Sequence, residues 1–246
     1  MNSDWRSLLP KELGPLPFDG VLTRTEANGS IDAPVTVLGV YPAAVQWRHF
    51  VRDGVRLNLP SKVEEHSFDP LSKSGSDLDK LYLQPLGLSR GHILAVDLMP
   101  YFFANTAKDS KSHRSMWDNV RDYTRITGRK TAIEPRPPED KLLQRCWSLP
   151  GNQSRLQEYI ARKSARLLFT LGREAAAYVR GHNRAIDGQQ YLYSKPKTLD
   201  LFDNSILTVH FVHPGNLQRS NNGKWKTTHI DWCIESGRGF VKSVLG

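Results

Sequence analysis

Two polar residues of this sequence end apolar segments, at positions where side chains commonly contact a ligand. Asp97 closes an apolar run that begins at Ile93, and His213 follows the apolar run Ile206–Val212. A carboxylate at the end of a buried strand costs free energy unless it binds a partner, and an imidazole titrates close to neutral pH. The alternatives are that Asp97 caps a nearby loop and that His213 is a buried structural histidine. The occurrence of both residues at strand ends favours a functional site.

The segments around these residues alternate between strands and helices. Apolar runs predict buried strands at residues 35–39, 92–98, 167–171 and 206–212, and helical patterns predict helices at residues 153–166, 172–179 and 226–244. The alternation predicts a three-layer α/β/α fold with a four-stranded parallel central sheet. Ligands bind such sheets outside the carboxyl ends of the strands, which is where Asp97 and His213 lie.

The chain length of 246 residues suits a single domain. Residues 1–33 are rich in Pro, Gly and polar groups and are predicted as an irregular lead-in, and residues 40–44 as a turn where a helix begins. The only cysteines, Cys146 and Cys233, exclude a disulfide framework and any site that needs several thiolates. Because the sequence shows no membrane-spanning apolar run and no signal-peptide pattern, we expect a cytoplasmic protein without a membrane partner.

The charge balance points to a polyanionic partner. Lys and Arg number 34 against 25 Asp and Glu, a net charge of +9. The excess is concentrated in residues 101–130 and 213–246, where aromatic side chains lie among the basic ones. Basic and aromatic side chains together suit a surface that holds phosphates and stacks bases, so we expect a nucleic-acid partner, with a merely basic surface as the alternative.

Several common catalytic motifs are missing from the sequence. It has no glycine-rich dinucleotide fingerprint, no phosphate-binding P-loop, no nucleophile elbow and no paired-histidine zinc motif. No cluster of His and Cys residues has the spacing of metal ligands. We therefore expect neither a metal ion nor a nucleotide cofactor.

Four motifs stand in an order that resembles the uracil-DNA glycosylase superfamily. They are Gly39-Val40-Tyr41-Pro42 after the first strand, Asp97 in place of the usual Asn after the second, Thr170-Leu-Gly-Arg-Glu-Ala-Ala176 at the third, and His213-Pro-Gly-Asn-Leu217 after the fourth. The third motif is similar to that of the branch that carries an iron–sulfur cluster, but the cluster cysteines are missing. The resemblance spans about residues 35–235 and implies the superfamily's α/β fold and a monomer without cofactors.

The resemblance also implies roles for individual residues. Asp97 and His213 become catalytic residues, with His213 stabilising the departing base. The base pocket is expected to comprise Gly39, Val40, Tyr41, Pro42 and the stacking aromatic Phe50, for which Phe68 is the alternative. DNA contacts are expected from Asn216, the wedge Leu217, and the phosphate-binding residues Arg219, Lys224 and Lys226. Val40 and Tyr41 depart from the superfamily, because they stand where a water-positioning Asp, Glu or Asn is usual.

Asp97 indicates which base would be read. An Asn amide both donates and accepts hydrogen bonds, as uracil requires, whereas an ionised Asp only accepts and therefore matches the exocyclic amine of cytosine. Removal of ordinary cytosine would destroy the host genome, so we expect a modified cytosine, such as a hydroxymethylated or glucosylated one in phage DNA. The role would be anti-phage defence or base-excision repair, and Asp97→Asn is expected to shift preference toward uracil.

Other classes of protein remain open from the sequence. A non-catalytic reader of modified DNA on the same fold is supported by Val40 and Tyr41, and differs from a glycosylase in releasing no base. An unrelated α/β enzyme acting on a small nucleotide would show no salt-dependent binding to DNA. A structural partner in a nucleoprotein complex would bind without turnover or base preference.

Overall fold

The chain folds around a six-stranded, mostly parallel sheet in this computed structural model, which describes residues 5–20, 22–52, 54–108, 113–217 and 223–246. The strands are β1 (Asn28–Gly29), β2 (Val35–Gly39), β3 (Ala44–Arg52), β4 (Val55–Val63), β5 (Ile93–Asp97), β6 (Phe103–Ala104), β7 (Glu134–Pro135), β8 (Leu167–Leu171), β9 (Lys197–Leu201) and β10 (Asn204–Phe211). The order across the central sheet is β1-β5-β2-β8-β10-β9.

The four inner strands of this sheet run parallel, and the two edge strands run antiparallel to their neighbours. The mixed α/β class is therefore confirmed, but the expected sheet of four strands omits β1 and β9. Neither edge strand is an apolar run that the sequence could show. Strand β1 has only two residues, and β9 is largely exposed with alternating polar side chains. The parallel arrangement brings the carboxyl ends of the inner strands to one edge, where Gly39 pairs with Asp97.

Helices flank both faces of the sheet. They are α1 (Trp5–Leu13), α2 (Lys73–Leu78, continued by a π-helical turn Asp79–Leu83), α3 (Met116–Thr127), α4 (Glu139–Ser148), α5 (Asn152–Ile160), α6 (Arg173–Val179), α7 (Pro214–Leu217), α8 (Gly223–Trp232) and, after a π-helical turn Cys233–Gly237, α9 (Arg238–Leu245); 3₁₀ turns span Arg90–His92 and Ala185–Tyr191. Val37 of β2 packs against α2 and α9 on one face, and Leu38 packs against α4, α5 and α6 on the other. Successive residues of a buried strand thus contribute to two separate cores.

A β-hairpin replaces the helix that we expected after residues 40–44. β3 and β4 pair antiparallel, and the inward side chains of the hairpin form a third apolar cluster with α1 and α3. The expectation of an irregular lead-in over residues 1–33 is also wrong. Helix α1 packs Leu9 and Leu13 into the same cluster, and residues 28–29 form an edge strand. No helix in the described part of the chain is long and apolar enough to cross a membrane.

Candidate active site

A cleft with a volume of about 510 Å³ opens at the carboxyl ends of the inner strands. It is lined by Val40, Tyr41, Asn105, Arg136, Glu139, Arg173, Glu174, Gln189, Leu192, Val212, His213, Gly215, Asn216 and Trp225. Four residues singled out in the sequence, Val40, Tyr41, His213 and Asn216, therefore meet in one place. The cleft lies where ligands bind in sheets of this type.

Asp97 is close to this cleft but does not line it. Its side chain is 2% exposed, and its Oδ2 atom has no hydrogen-bond partner among the described residues. The other carboxyl oxygen, Oδ1, lies close to Gly39. A Cβ atom at Gly39 would collide with this oxygen and would lie 2.5 Å from the Phe68 ring. Gly39 is required because the Asp97 carboxyl and the Phe68 ring both occupy the space above it. Pro42, three residues further along, is also buried.

Burial makes Asp97 a neutral acid at pH 7. Loss of hydration raises the pKa of its carboxyl to about 8, and the negative charge of Glu64 adds to the increase. The Ser67 hydroxyl and the Arg155 guanidinium partly offset both effects. The raised pKa favours the protonated carboxyl at neutral pH, which can both donate and accept a hydrogen bond, whereas the sequence-based expectation treats Asp97 as an ionised acceptor.

Glu64 fixes the loop that follows β2. Its Oε2 accepts a hydrogen bond from the Ala43 amide at 2.7 Å, and its Oε1 accepts one from the Ser74 hydroxyl at 3.2 Å. Burial raises the pKa of this carboxyl as well. Because the Ala43 amide already donates to Glu64, it is not available to a ligand at the strand ends. Sequence reasoning missed Glu64, which stands at the end of the unrecognised hairpin.

The aromatic ring beside Asp97 is Phe68, not Phe50. Phe50 lies on β3 and packs into the cluster with α1 and α3, so the structure does not bring it to the strand ends. The backbone of Phe68 has a φ of +55°, a left-handed conformation that is uncommon for an aromatic residue and concentrates at functional sites. Arg90 holds this conformation by donating to the Phe68 carbonyl at 2.8 Å and to the Gly75 carbonyl at 2.9 Å.

His213 is half-buried at the rim of the cleft. Its Nδ1 accepts a hydrogen bond from the Gly215 amide at 3.2 Å, so the proton of a neutral imidazole resides on Nε2. A carbon at the Cβ position of Gly172 would lie 3.5 Å from the His213 Cβ and 3.6 Å from the Val40 Cγ2. The end of β8 and the loops after β2 and β10 are thus in close contact around this histidine.

The residues expected to contact DNA have different positions. Asn216 lines the cleft, and Lys224 and Lys226 are exposed on α8. Leu217 is 5% exposed and packs into the core beneath α7, so in this conformation it cannot serve as a wedge. Arg219 lies outside the described residues.

A cluster of charged residues in the cleft was not identified from the sequence. Glu174 lies 3.7 Å from an Arg136 nitrogen and 3.8 Å from an Arg173 nitrogen, and Arg173 also pairs with Glu139. The Arg136 guanidinium stacks over the Tyr41 ring, 4.6 Å from its centre. Glu174 and Arg173 belong to the third motif quoted above, but the sequence alone does not indicate that their side chains face the cleft.

A buried arginine supports the backbone that carries Asp97. Arg155 donates to the carbonyls of Asp97 at 2.5 Å and Leu98 at 3.0 Å, and its Nε donates to Asn152 Oδ1 at 2.9 Å. The Asn152 amide in turn donates to the Leu98 carbonyl at 2.9 Å. The buried peptide groups at the end of β5 thereby obtain the hydrogen bonds that burial requires.

Replacement of this arginine is expected to destabilise the whole domain. In Arg155→Met the Asp97 carbonyl loses a charged donor, so the free energy of unfolding should fall by about 2–4 kcal/mol in urea titrations. The control is Arg125→Met, which removes an exposed arginine paired with Asp122 and should change stability by less than about 0.5 kcal/mol. Equal stabilities for the two variants would contradict the supporting role of Arg155.

The described residues contain no group of His, Cys, Asp and Glu side chains that could hold a metal ion. The sequence matches no protein-family model, and it has no significant match among curated proteins.

Proposed function

We propose that this protein is a DNA glycosylase that flips a modified or damaged pyrimidine out of DNA and hydrolyses its N-glycosidic bond, with a cytosine derivative as the expected substrate. The observation that carries the proposal is the buried carboxyl of Asp97, which lies against the Phe68 ring with one oxygen unpartnered. An unpartnered buried oxygen costs free energy that a bound ligand would recover. A planar heterocycle that stacks on Phe68 and bonds to Asp97 meets both requirements.

The neutral carboxyl suits the edge of a pyrimidine. With cytosine, the carbonyl oxygen of Asp97 accepts from the exocyclic amine while its hydroxyl donates to N3; with uracil, the two oxygens exchange these roles. Neutral Asp97 therefore accepts either base edge. Ionisation removes the donor, so uracil loses the bond at O4 and cytosine loses the bond at N3, while each base keeps the bond that it donates. The release assay described below distinguishes the two bases.

Entry of a base requires movement of Phe68, because its ring covers Asp97. The strained backbone at Phe68 is consistent with a segment that has a second conformation. Such a movement would connect the Asp97 pocket with the cleft along Val40, which follows Gly39 directly and lines the cleft. The base would then lie between Phe68 and the loop after β2.

His213 is positioned to assist departure of the base. Cleavage of the glycosidic bond places negative charge on the base and positive charge on the sugar. The Nε2 proton of His213 can donate to the base as this charge develops, and a preorganised donor of this kind stabilises the transition state. The exposed lysines Lys224 and Lys226 provide positive charge for the phosphates beside the flipped nucleotide.

The test is release of free base from oligonucleotides that each carry one modification. The panel contains uracil, hypoxanthine, 5-methylcytosine, 5-hydroxymethylcytosine and glucosylated 5-hydroxymethylcytosine, with base measured by mass and abasic sites by alkaline cleavage. We expect release from one of the cytosine derivatives, and binding that weakens steeply with salt. Failure to release any base from single-stranded or duplex DNA would overturn the proposal.

The second candidate is a reader that binds modified DNA without cleaving it. It is favoured by one observation, namely that the loop after β2 presents Val40 and Tyr41 and no water-positioning carboxylate or amide. The same panel separates the two functions, because a reader gives tight, base-selective binding with no abasic product.

A further inference from the structure

We propose that Glu174 is the carboxylate that activates the attacking water, a task for which the loop after β2 has no suitable side chain. The inference rests on the glycosylase function proposed above. It assigns to a residue of α6 the chemistry that Val40 and Tyr41 cannot perform.

The geometry places the Glu174 carboxylate opposite His213. A carbon at the Cβ position of Gly172 would lie 3.2 Å from Glu174 Oε2 and 3.5 Å from the Cβ of His213. Gly172 has a φ of +107° and no side chain, so Glu174 Oε2, His213 and Val40 all lie close to its Cα. Glu174 and His213 both line the cleft, so a water molecule that the carboxylate binds in the cleft would lie beside the residue that receives the departing base.

The two arginines orient the carboxylate through one of its oxygens. Both ion pairs of Glu174 reach Oε1, at 3.7 Å from Arg136 and 3.8 Å from Arg173, which is beyond hydrogen-bond distance. Oε2 is the oxygen that faces Gly172. The side chain of Glu174 is only 12% exposed and lines the cleft, and the ion pairs fix its direction through Oε1.

The reaction balances with water as the only co-reactant. The bond between C1′ and the base nitrogen breaks, and its electron pair leaves with the base, which His213 stabilises. The water oxygen forms a new bond to C1′, and Glu174 Oε2 accepts one of the water protons. That proton then passes to the base through solvent, which restores the carboxylate. The negative charge of Glu174 also stabilises the positive charge that develops on the sugar.

The experiment measures single-turnover base release by Glu174→Gln and Glu174→Ala on the panel oligonucleotide that the wild-type protein cleaves. Glu174→Gln keeps the shape of the side chain and is expected to lower the rate by about 10²–10³-fold, within the usual range for loss of a general base. Binding of the same oligonucleotide should change by less than about threefold. Formate, a small carboxylate, should raise the rate of Glu174→Ala by at least about tenfold, whereas chloride at the same ionic strength should not; loss of a merely structural ion pair would not respond to formate.

Glu134→Gln is the control. Glu134 pairs with Arg145 and does not line the cleft, and its side chain is 58% exposed, so its loss should change the rate by less than about threefold. If the wild-type protein releases base and Glu174→Gln releases it at a similar rate, Glu174 does not activate the water, and the glycosylase function stands. A wild-type protein that releases no base overturns both.

Discussion

His213→Ala is expected to lower the rate of base release by about 10²–10³-fold while DNA binding and thermal stability remain near those of the wild-type protein. Loss of one preorganised donor to a developing negative charge has an effect of this size. The structure gives the donor a defined identity, since the Gly215 amide occupies Nδ1 and leaves the proton on Nε2. His213→Gln retains a side-chain donor and should therefore keep a larger part of the rate than His213→Ala.

The control for this prediction is His49→Ala. His49 is exposed on the β3–β4 hairpin, away from the strand ends, so its removal should leave the rate within about twofold of wild type. Single-turnover rates, DNA affinity and melting temperature should be measured for each variant. If His213→Ala retains more than about a third of the wild-type rate, His213 does not donate to the departing base.

The inner strands of the sheet could be predicted closely from the sequence, and the hairpin could not. Val35–Gly39 and Leu167–Leu171 are short apolar runs whose two faces are both buried, and the structure gives them the same bounds. The hairpin lacks this signal, because several of its side chains, including Trp47 and Arg48, face solvent. The dipeptide Asp53-Gly54 is typical of a hairpin turn and was the signal that could have identified it.

The candidate site was only partly predictable, for a related physical reason. Asp97 and His213 follow buried strands directly, so their positions depend on the sheet alone. The surroundings of Phe50, Phe68 and Leu217 depend on how loops and the hairpin fold back, and an apolar side chain in a loop does not reveal which cluster it joins. Of the two phenylalanines, only Phe68 lies at the carboxyl end of β2, whereas Phe50 joins the cluster with α1 and α3.

The protonation state of Asp97 depends on the tertiary structure and has a measurable consequence for stability. Its pKa is raised by burial and by Glu64 from 3.8 in the unfolded chain to about 8 in the folded protein. The folded state therefore binds the proton more tightly, and the resulting stabilisation is complete below about pH 4 and is lost as the pH rises through 8. Each unit of pKa difference corresponds to about 1.4 kcal/mol, so the effect amounts to several kcal/mol.

Asp97→Asn removes this dependence, because an amide does not titrate. The amide also leaves a buried donor without a partner, which lowers stability at every pH; the change with pH is therefore the informative quantity. Since about 1 kcal/mol corresponds to about 2–4 °C in a chain of this size, the melting temperature of Asp97→Asn relative to wild type should rise by at least about 4 °C between pH 5 and pH 9. Asp231→Asn, which alters an exposed carboxyl, should show no such rise.

The same titration connects stability with base binding. In the wild-type protein, affinity for DNA that carries uracil or a cytosine derivative should fall above pH 8, where ionised Asp97 no longer donates to O4 or N3. In Asp97→Asn, neither affinity should fall between pH 6 and pH 9, because the amide keeps its donor throughout. Fluorescence anisotropy with both oligonucleotides across this range gives the two affinities directly. If the wild-type affinities are also independent of pH while the melting temperatures behave as expected, Asp97 titrates in the fold but does not contact the base.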